Sequence, residues 1–155
     1  MMEKEKITKA MNTITHGVYV LGVHTEEKDN LMTAAWLCQV SSSPAVLAVA
    51  VSGGHLTAEL LLKAGRFTVS VLGSSQRQEA LSCGRVSGRK TDKTGLVETE
   101  YTTEGIPMVA GAAAQMECRI LDVNRTTGHL LFLAEVESAS FSSDDVLLYH
   151  KKDFF

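Results

Sequence analysis

The chain has 155 residues, 45% hydrophobic and 21% charged, with two prolines; this excludes a disordered polypeptide or two ordinary domains and leaves one core-sized unit over residues 1–155. Fifteen basic against eighteen acidic residues give a net charge of −3, and the basic ones are scattered apart from 85–93, which argues against a nucleic-acid partner. No run approaches the roughly 18 apolar residues of a membrane span, residues 1–9 are charged rather than signal-like, and Cys38, Cys83 and Cys118 are odd in number and far apart, so a cytoplasmic protein with free, mostly core-packed thiols is expected.

In chain order, Ile7, Ala10, Met11 and Ile14 recur at helical spacing and predict an amphipathic helix over 3–15, ending near His16-Gly17. Val18 to Val23 is β-branched and aromatic, and the polar segment 25–30 returns the chain as a hairpin. Residues 30–44 then pack small and polar side chains between flanks that read as strands, as if to line something. Ala45 to Val51 is continuously apolar, as in a central strand. Thr57 is a plausible N-cap of a helix through Leu60, Leu61 and Leu62 that Gly65 closes in a left-handed cap. Phe67 to Leu72 alternates as a strand, and Ser75 with Gln78 makes a capping box for a helix toward Cys83.

The segment 84–94 has basic residues, hydroxyls and glycine but no apolar period, and is expected at the surface. Gly105 and Pro107 mark turns around Ile106 and Met108. Ala114, Met116, Cys118 and Ile120 alternate with polar residues in a half-buried strand; 124–128 is a turn, 130–136 another strand, and 146–149 a last short strand before a charged tail ending Phe154-Phe155. Six or seven strands, some joined by short turns, with two or three short helices, favour a mainly β antiparallel barrel over a doubly wound sheet.

Four constellations bear on chemistry. Gly84-x-x-x-Gly88-Arg89-Lys90 misses the nucleotide triphosphatase spacing, but the hydroxyls of Ser87 and Thr91 with Arg89, Lys90 and Lys93 would suit a phosphate as well as they suit a solvated loop. Thr57 after Gly53-Gly54 is either an ordinary cap or a second anion contact at a helix N-terminus. His129 follows Thr126-Thr127-Gly128 at a strand mouth, while the other four histidines lack metal-ligand spacing. No serine lies in a G-x-S-x-G elbow.

The order of motifs is more specific than any one of them. Met32-Thr33-Ala34-Ala35-Trp36, Gln39-Val40-Ser41 and Pro44, the apolar strand, Thr57, Gly65-x-Phe67-x-Val69, Ser87-Gly88-Arg89-x-x-Asp92-Lys93, Pro107, Glu117-Cys118 and Gly128-His129 resemble the flavin reductase-like family of FMN-binding split barrels, over about residues 13–149. The resemblance implies a six-stranded Greek-key split β-barrel and a homodimer with FMN near the subunit interface. It implies that Thr33, Ala34, Ala35 and Trp36 lie along the isoalloxazine edge, with backbone amides and Gln39, Val40 and Ser41 reaching its polar rim or the ribityl chain. Ser52 and Thr57 would hold ribityl and phosphate oxygens, Ser87, Arg89 and Lys93 would complete the phosphate cage, and His129 would orient a nicotinamide donor. The implied activity is hydride transfer from NADH or NADPH to the flavin. The alternative is a flavoredoxin-like electron carrier serving a rubredoxin- or ferredoxin-like partner. Cys38, beside the presumed shelf, is read as a small packed side chain rather than a redox group.

Overall fold

A computed structural model describes residues 2–154, Phe154 by its backbone only; the expected tail residue Phe155 lies outside the described residues. Seven antiparallel strands form one sheet in the order β2-β1-β5-β8-β9-β4-β3. They are β1 (Tyr19–His24), β2 (Asp29–Ala34), β3 (Leu37–Ser42), β4 (Ala45–Ser52), β5 (Arg66–Val71), β8 (Ala114–Arg125) and β9 (His129–Phe141); β6 (Thr99–Tyr101) and β7 (Pro107–Val109) form a separate two-stranded ribbon. The main sheet thus has one strand more than the resemblance implies.

The order dictates the shape. β2 and β3 occupy opposite edges of the sheet, yet only Ala35 and Trp36 separate them in the chain. Seven strands laid flat would span about 29 Å from first to last, whereas the three steps from Ala34 to Leu37 reach at most about 10 Å. The sheet must curl until its edges meet at that two-residue link, which makes it a barrel split along one seam. The link is pinned to the wall, because the Ala50 amide donates to the Trp36 carbonyl at 3.0 Å.

The curled sheet encloses Phe67, Phe132, Leu21, Val49 and Val69, all fully buried. They come from β1, β4, β5 and β9, and burying each such side chain contributes about 1.5–3 kcal/mol. α2 (Leu56–Ala64) packs Ala58, Leu60 and Leu61 into the same core, and Gly65 ends it at φ 72°. A second cluster, with Val18, Val20, Leu31 and Leu72, lies under α3 (Arg77–Gly84), which buries Ala80 and Cys83 there. The Thr33 hydroxyl donates to the Ala80 carbonyl at 2.6 Å and fastens α3 to β2.

Several local expectations are corrected. Residues 30–44 are not an insertion between strands: most of them are β2 and β3, because Leu31, Met32 and Ala34 have core to pack against. α1 (Glu3–Met11) stops at Asn12, where the Thr13 and Ile14 amides bond three residues back and tighten the last turn, and none of its residues is buried. His55, not Thr57, is the cap residue of α2; its backbone is extended and its carbonyl accepts from the Ala58 amide. The Ser75–Gln78 capping box does not form, because Gln76 is the cap residue and its side chain ties the Gly73 amide to the Ala110 carbonyl. Residues 146–149 make two isolated bridges, to Gly73 and Gly17, rather than a strand. β8 and β9 run longer than their apolar cores, since each pairs the other to its end.

Gly22, inside β1, lets the β6–β7 ribbon close on the barrel: a Cβ there would fall 1.9 Å from the Pro107 carbonyl oxygen, which also accepts the Thr68 hydroxyl at 2.6 Å. Gly22→Ala is expected to destabilise the fold by about 2–3 kcal/mol through overpacking against backbone that cannot yield, read as a lower denaturant midpoint; an unchanged midpoint would contradict the contact.

Candidate functional site

The seam is lined on one side by the end of β2 and the link (Thr33, Ala34, Ala35, Trp36) and on the other by the end of β4 (Ala50, Val51, Ser52). Register brings His129 to the same place, since the first residue of β9 pairs with Ser52. The His129 ring lies 5.1 Å from that of Trp36, tilted by 38°, and the indole is 54% exposed. The far wall is the last turn of α3, with Ala80, Leu81 and Gly84. Together these surround a cleft of about 540 Å³ that is mainly apolar, within the size range of small-ligand sites.

The cleft continues into a polar chamber of about 280 Å³; Met32, Thr33, His55, Gly84 and Arg85 line both. Here the sequence expectation of a wholly surface loop at 84–94 fails. Gly88 is buried, and Lys93 is 4% exposed, at the start of a 3-10 turn over Lys93–Gly95. Its ammonium donates to the Cys83 carbonyl at 2.8 Å and has no carboxylate partner among the described residues. Burial therefore holds the Lys93 pKa below the usual lysine range, and the same burial pushes the Cys83 thiol up to about 11. A cation taken from water without a counter-ion is destabilised until an anion reaches it.

The loop is seated by shape as much as by charge. The Gly88 carbonyl accepts from Lys28 Nζ, and a Cβ at Gly88 would fall 2.3 Å from Asn30 Oδ1. Asn30 is buried and donates through Nδ2 to the Thr57 hydroxyl at 3.0 Å, while its Oδ1 lacks a hydrogen-bond partner. Thr57 Oγ1 accepts that bond and Ser87 Oγ accepts from the Arg89 amide, so each hydroxyl keeps its own proton to donate. Arg89 reaches the chamber but is held bidentately by Glu59, whose carboxyl it keeps below the usual range.

Of the residues singled out in the sequence, Thr33, Ala34, Ala35, Trp36, Ser52 and His129 line the apolar cleft, and Thr57, Ser87, Arg89 and Lys93 line the polar chamber with Thr33 between them. Gln39, Val40 and Ser41 do not line either; they lie on the β3 edge, where Gln39 turns back to the Ser41 carbonyl at 3.2 Å. Sequence reasoning passed over Asn30, His55, Arg85 and Tyr149. Arg85 opens the basic run and could have been included with it. His55 was hidden by the misplaced cap, and Tyr149 reaches the cleft from the C-terminal segment, packed on the second core cluster with its amide bonded to the His16 carbonyl.

The residues fit a ligand with a broad apolar body and an anionic end, as FMN has. Replacing Lys93 by Met keeps the volume and removes the buried charge. A charge-assisted bond contributes about 1.5–3 kcal/mol, so Lys93→Met is expected to weaken FMN binding by about ten- to a hundredfold in a fluorescence titration of apoprotein. Because an anion raises the depressed Lys93 pKa back up, wild-type affinity should also fall as pH rises through the range just below the ordinary lysine value. Unchanged affinity in the variant would remove Lys93 from the site.

The sequence matches the family described as flavin reductase like domain over residues 11–155. The NADH-dependent flavin reductase StyB of Pseudomonas fluorescens is 31% identical, over 84% of this chain and 74% of its own length. A high molecular weight rubredoxin of Moorella thermoacetica is 28% identical over 86% of this chain and 59% of its own. The crystal structure of an FMN-binding protein from Thermus thermophilus superposes with a TM-score of 0.84 at 30% identity, covering 90% of this chain and 84% of that one. The chain spans about three fifths of the length of several curated relatives that it matches. By sequence match and by barrel architecture alike, this chain belongs to the flavin reductase-like domain family.

Proposed function

We propose that this chain is an FMN-binding, NAD(P)H-dependent flavin reductase domain that works in the cytoplasm. The observation that carries the reading is the junction of two unlike surfaces in one cleft: an apolar seam ending at Trp36 and His129, and a chamber built around the buried, uncompensated Lys93. FMN has those two ends. Thr33, Ala34, Ala35, Trp36 and Ser52 would hold its ring system and ribityl chain. Lys93, Ser87, Thr57 and the exposed Arg85 would hold its phosphate, with Arg89 exchanging Glu59 for that anion. When bound, the flavin supplies hydride acceptance from a nicotinamide and onward electron transfer.

The protein's own part is positional. The curl of the sheet keeps Thr33–Trp36 and Ala50–Ser52 opposed, and the apolar walls exclude water from the space between. His129, stacked at a tilt on Trp36, orients the nicotinamide at the open side of the seam and moves no proton. In FMN-saturated protein under anaerobic conditions, His129→Ala should slow bleaching of the oxidised flavin by NADH or NADPH about tenfold or more through a raised KM, as expected for a lost orienting contact. No bleaching even in the wild type would overturn the reductase reading. The unchanged KM with a lowered kcat would instead make His129 part of the chemistry.

A second reading, an electron carrier with little nicotinamide turnover, draws support from the likeness to a rubredoxin-containing relative. It predicts reduction of the flavin by a rubredoxin- or ferredoxin-like donor and not by a nicotinamide. In either reading the working unit is a homodimer. β3 is a sheet edge that presents Cys38, Gln39 and Val40 to solvent, and an unpaired edge of this kind is ordinarily covered; Gln39, Val40 and Ser41 would then face the partner copy. Light scattering should give twice the chain mass, and Val40→Lys should lower it to one chain; a wild-type monomer at micromolar concentration would contradict the assembly.

A further inference from the structure

A second cavity of about 670 Å³ opens on the other side of Trp36 and Tyr149, which line it and the flavin-sized cleft alike. It is built where the end of α1 and residues 12–16 meet His150 and the first residues of α4 (Lys151–Phe154). Beyond one wall of Met11, Asn12 and Ile14, its lining has two parts. Trp36, Tyr149 and His16 supply aromatic faces, the last two in an edge contact with centroids 6.3 Å apart. Lys151 and Lys152 supply positive charge beside the His150 ring; neither lysine makes an ion pair among the described residues, and no acidic side chain lines the cavity. The nearest acid along the chain, Asp153, follows Lys152, and its carbonyl accepts from Arg77.

Aromatic faces beside unpaired lysines suit a purine carrying phosphate: the base stacks on the rings and the ammonium groups meet the anion as point charges. Because the two cavities share Trp36 and Tyr149, a dinucleotide with one end in the seam next to His129 would cross that shared wall into the second cavity. We infer that this cavity takes the adenosine half of the donor, and that Lys151 and Lys152 read its 2′-phosphate, so that NADPH is the preferred donor. The inference rests on the reductase reading for the other half of the dinucleotide.

Two redox-inert fragments test the cavity apart from turnover. Calorimetric titration of the FMN-loaded full chain with 2′,5′-ADP and with 5′-AMP compares ligands that differ by the 2′-phosphate alone. The expected result is that 2′,5′-ADP binds about tenfold or more tightly, of the size of a charge-assisted phosphate contact. The Lys151→Gln, Lys152→Gln double variant changes exposed side chains only, should keep its FMN affinity, and should lose that preference. Equal binding of the two fragments, no binding of either, or a preference that survives in the double variant would overturn the site. A protein that selects 2′,5′-ADP but is not reduced by NADPH keeps this site and loses the reductase reading. One that is reduced equally by NADH and NADPH without selecting 2′,5′-ADP does the reverse.

Discussion

The structure depends on one geometric constraint: two residues, Ala35 and Trp36, must join the opposite edges of a seven-stranded sheet. The link is too short for any open arrangement, so the sheet curls, and the seam it leaves is a cleft built on the ends of β2, β4 and β9 and closed by the last turn of α3. Strand ends held by a paired sheet are stiff supports for a ligand. The register of β4 against β9 then fixes what faces the link, because Ser52 and His129 are a pair. Core packing, not local propensity, decides the position of each of these residues.

The polar end of the cleft is organised by a different force. Lys93 is buried at a cost, and the hydrogen bond to the Cys83 carbonyl offsets only part of it. Shape keeps it there: Gly88 rests on the Asn30 amide, Lys28 holds the Gly88 carbonyl, and the α3 turn that carries Cys83 is tied to β2 through Thr33. The chain therefore maintains a chamber with a buried, carboxylate-free Lys93 next to an apolar seam, and the same Thr33 lines both. Such an arrangement contributes little to stability and makes sense as a pre-organised anion site.

Much of this was legible in the residues. The alternation of 114–120, the apolar run of β4, the left-handed stop at Gly65 and the basic loop all announced themselves through periodicity or turn chemistry. What periodicity could not carry was the identity of β2 and β3: their polar and small residues look like an insertion until the curl gives Leu31, Met32 and Ala34 a core to enter. Lys93 shows the same gap at a single position. In sequence it is one more charge in a solvated loop, and only the fold of that loop over Asn30 makes it the buried cation. Arg89 went the other way, since nothing in the sequence pairs it with Glu59 thirty positions earlier. Tyr149 and the cavity behind it follow from where the C-terminal segment is tethered, which no local motif encodes.

The proposal drawn from seam and chamber is that a bound flavin would lie across Thr33 with its ring system toward Trp36 and its phosphate on Lys93. A crystal structure of the protein grown with FMN tests it most directly. The account predicts ring density between residues 33–36 and 50–52, and a phosphate oxygen within hydrogen-bond distance of Lys93 Nζ. Flavin density outside the seam, or a phosphate directed away from Lys93 toward solvent, would contradict it.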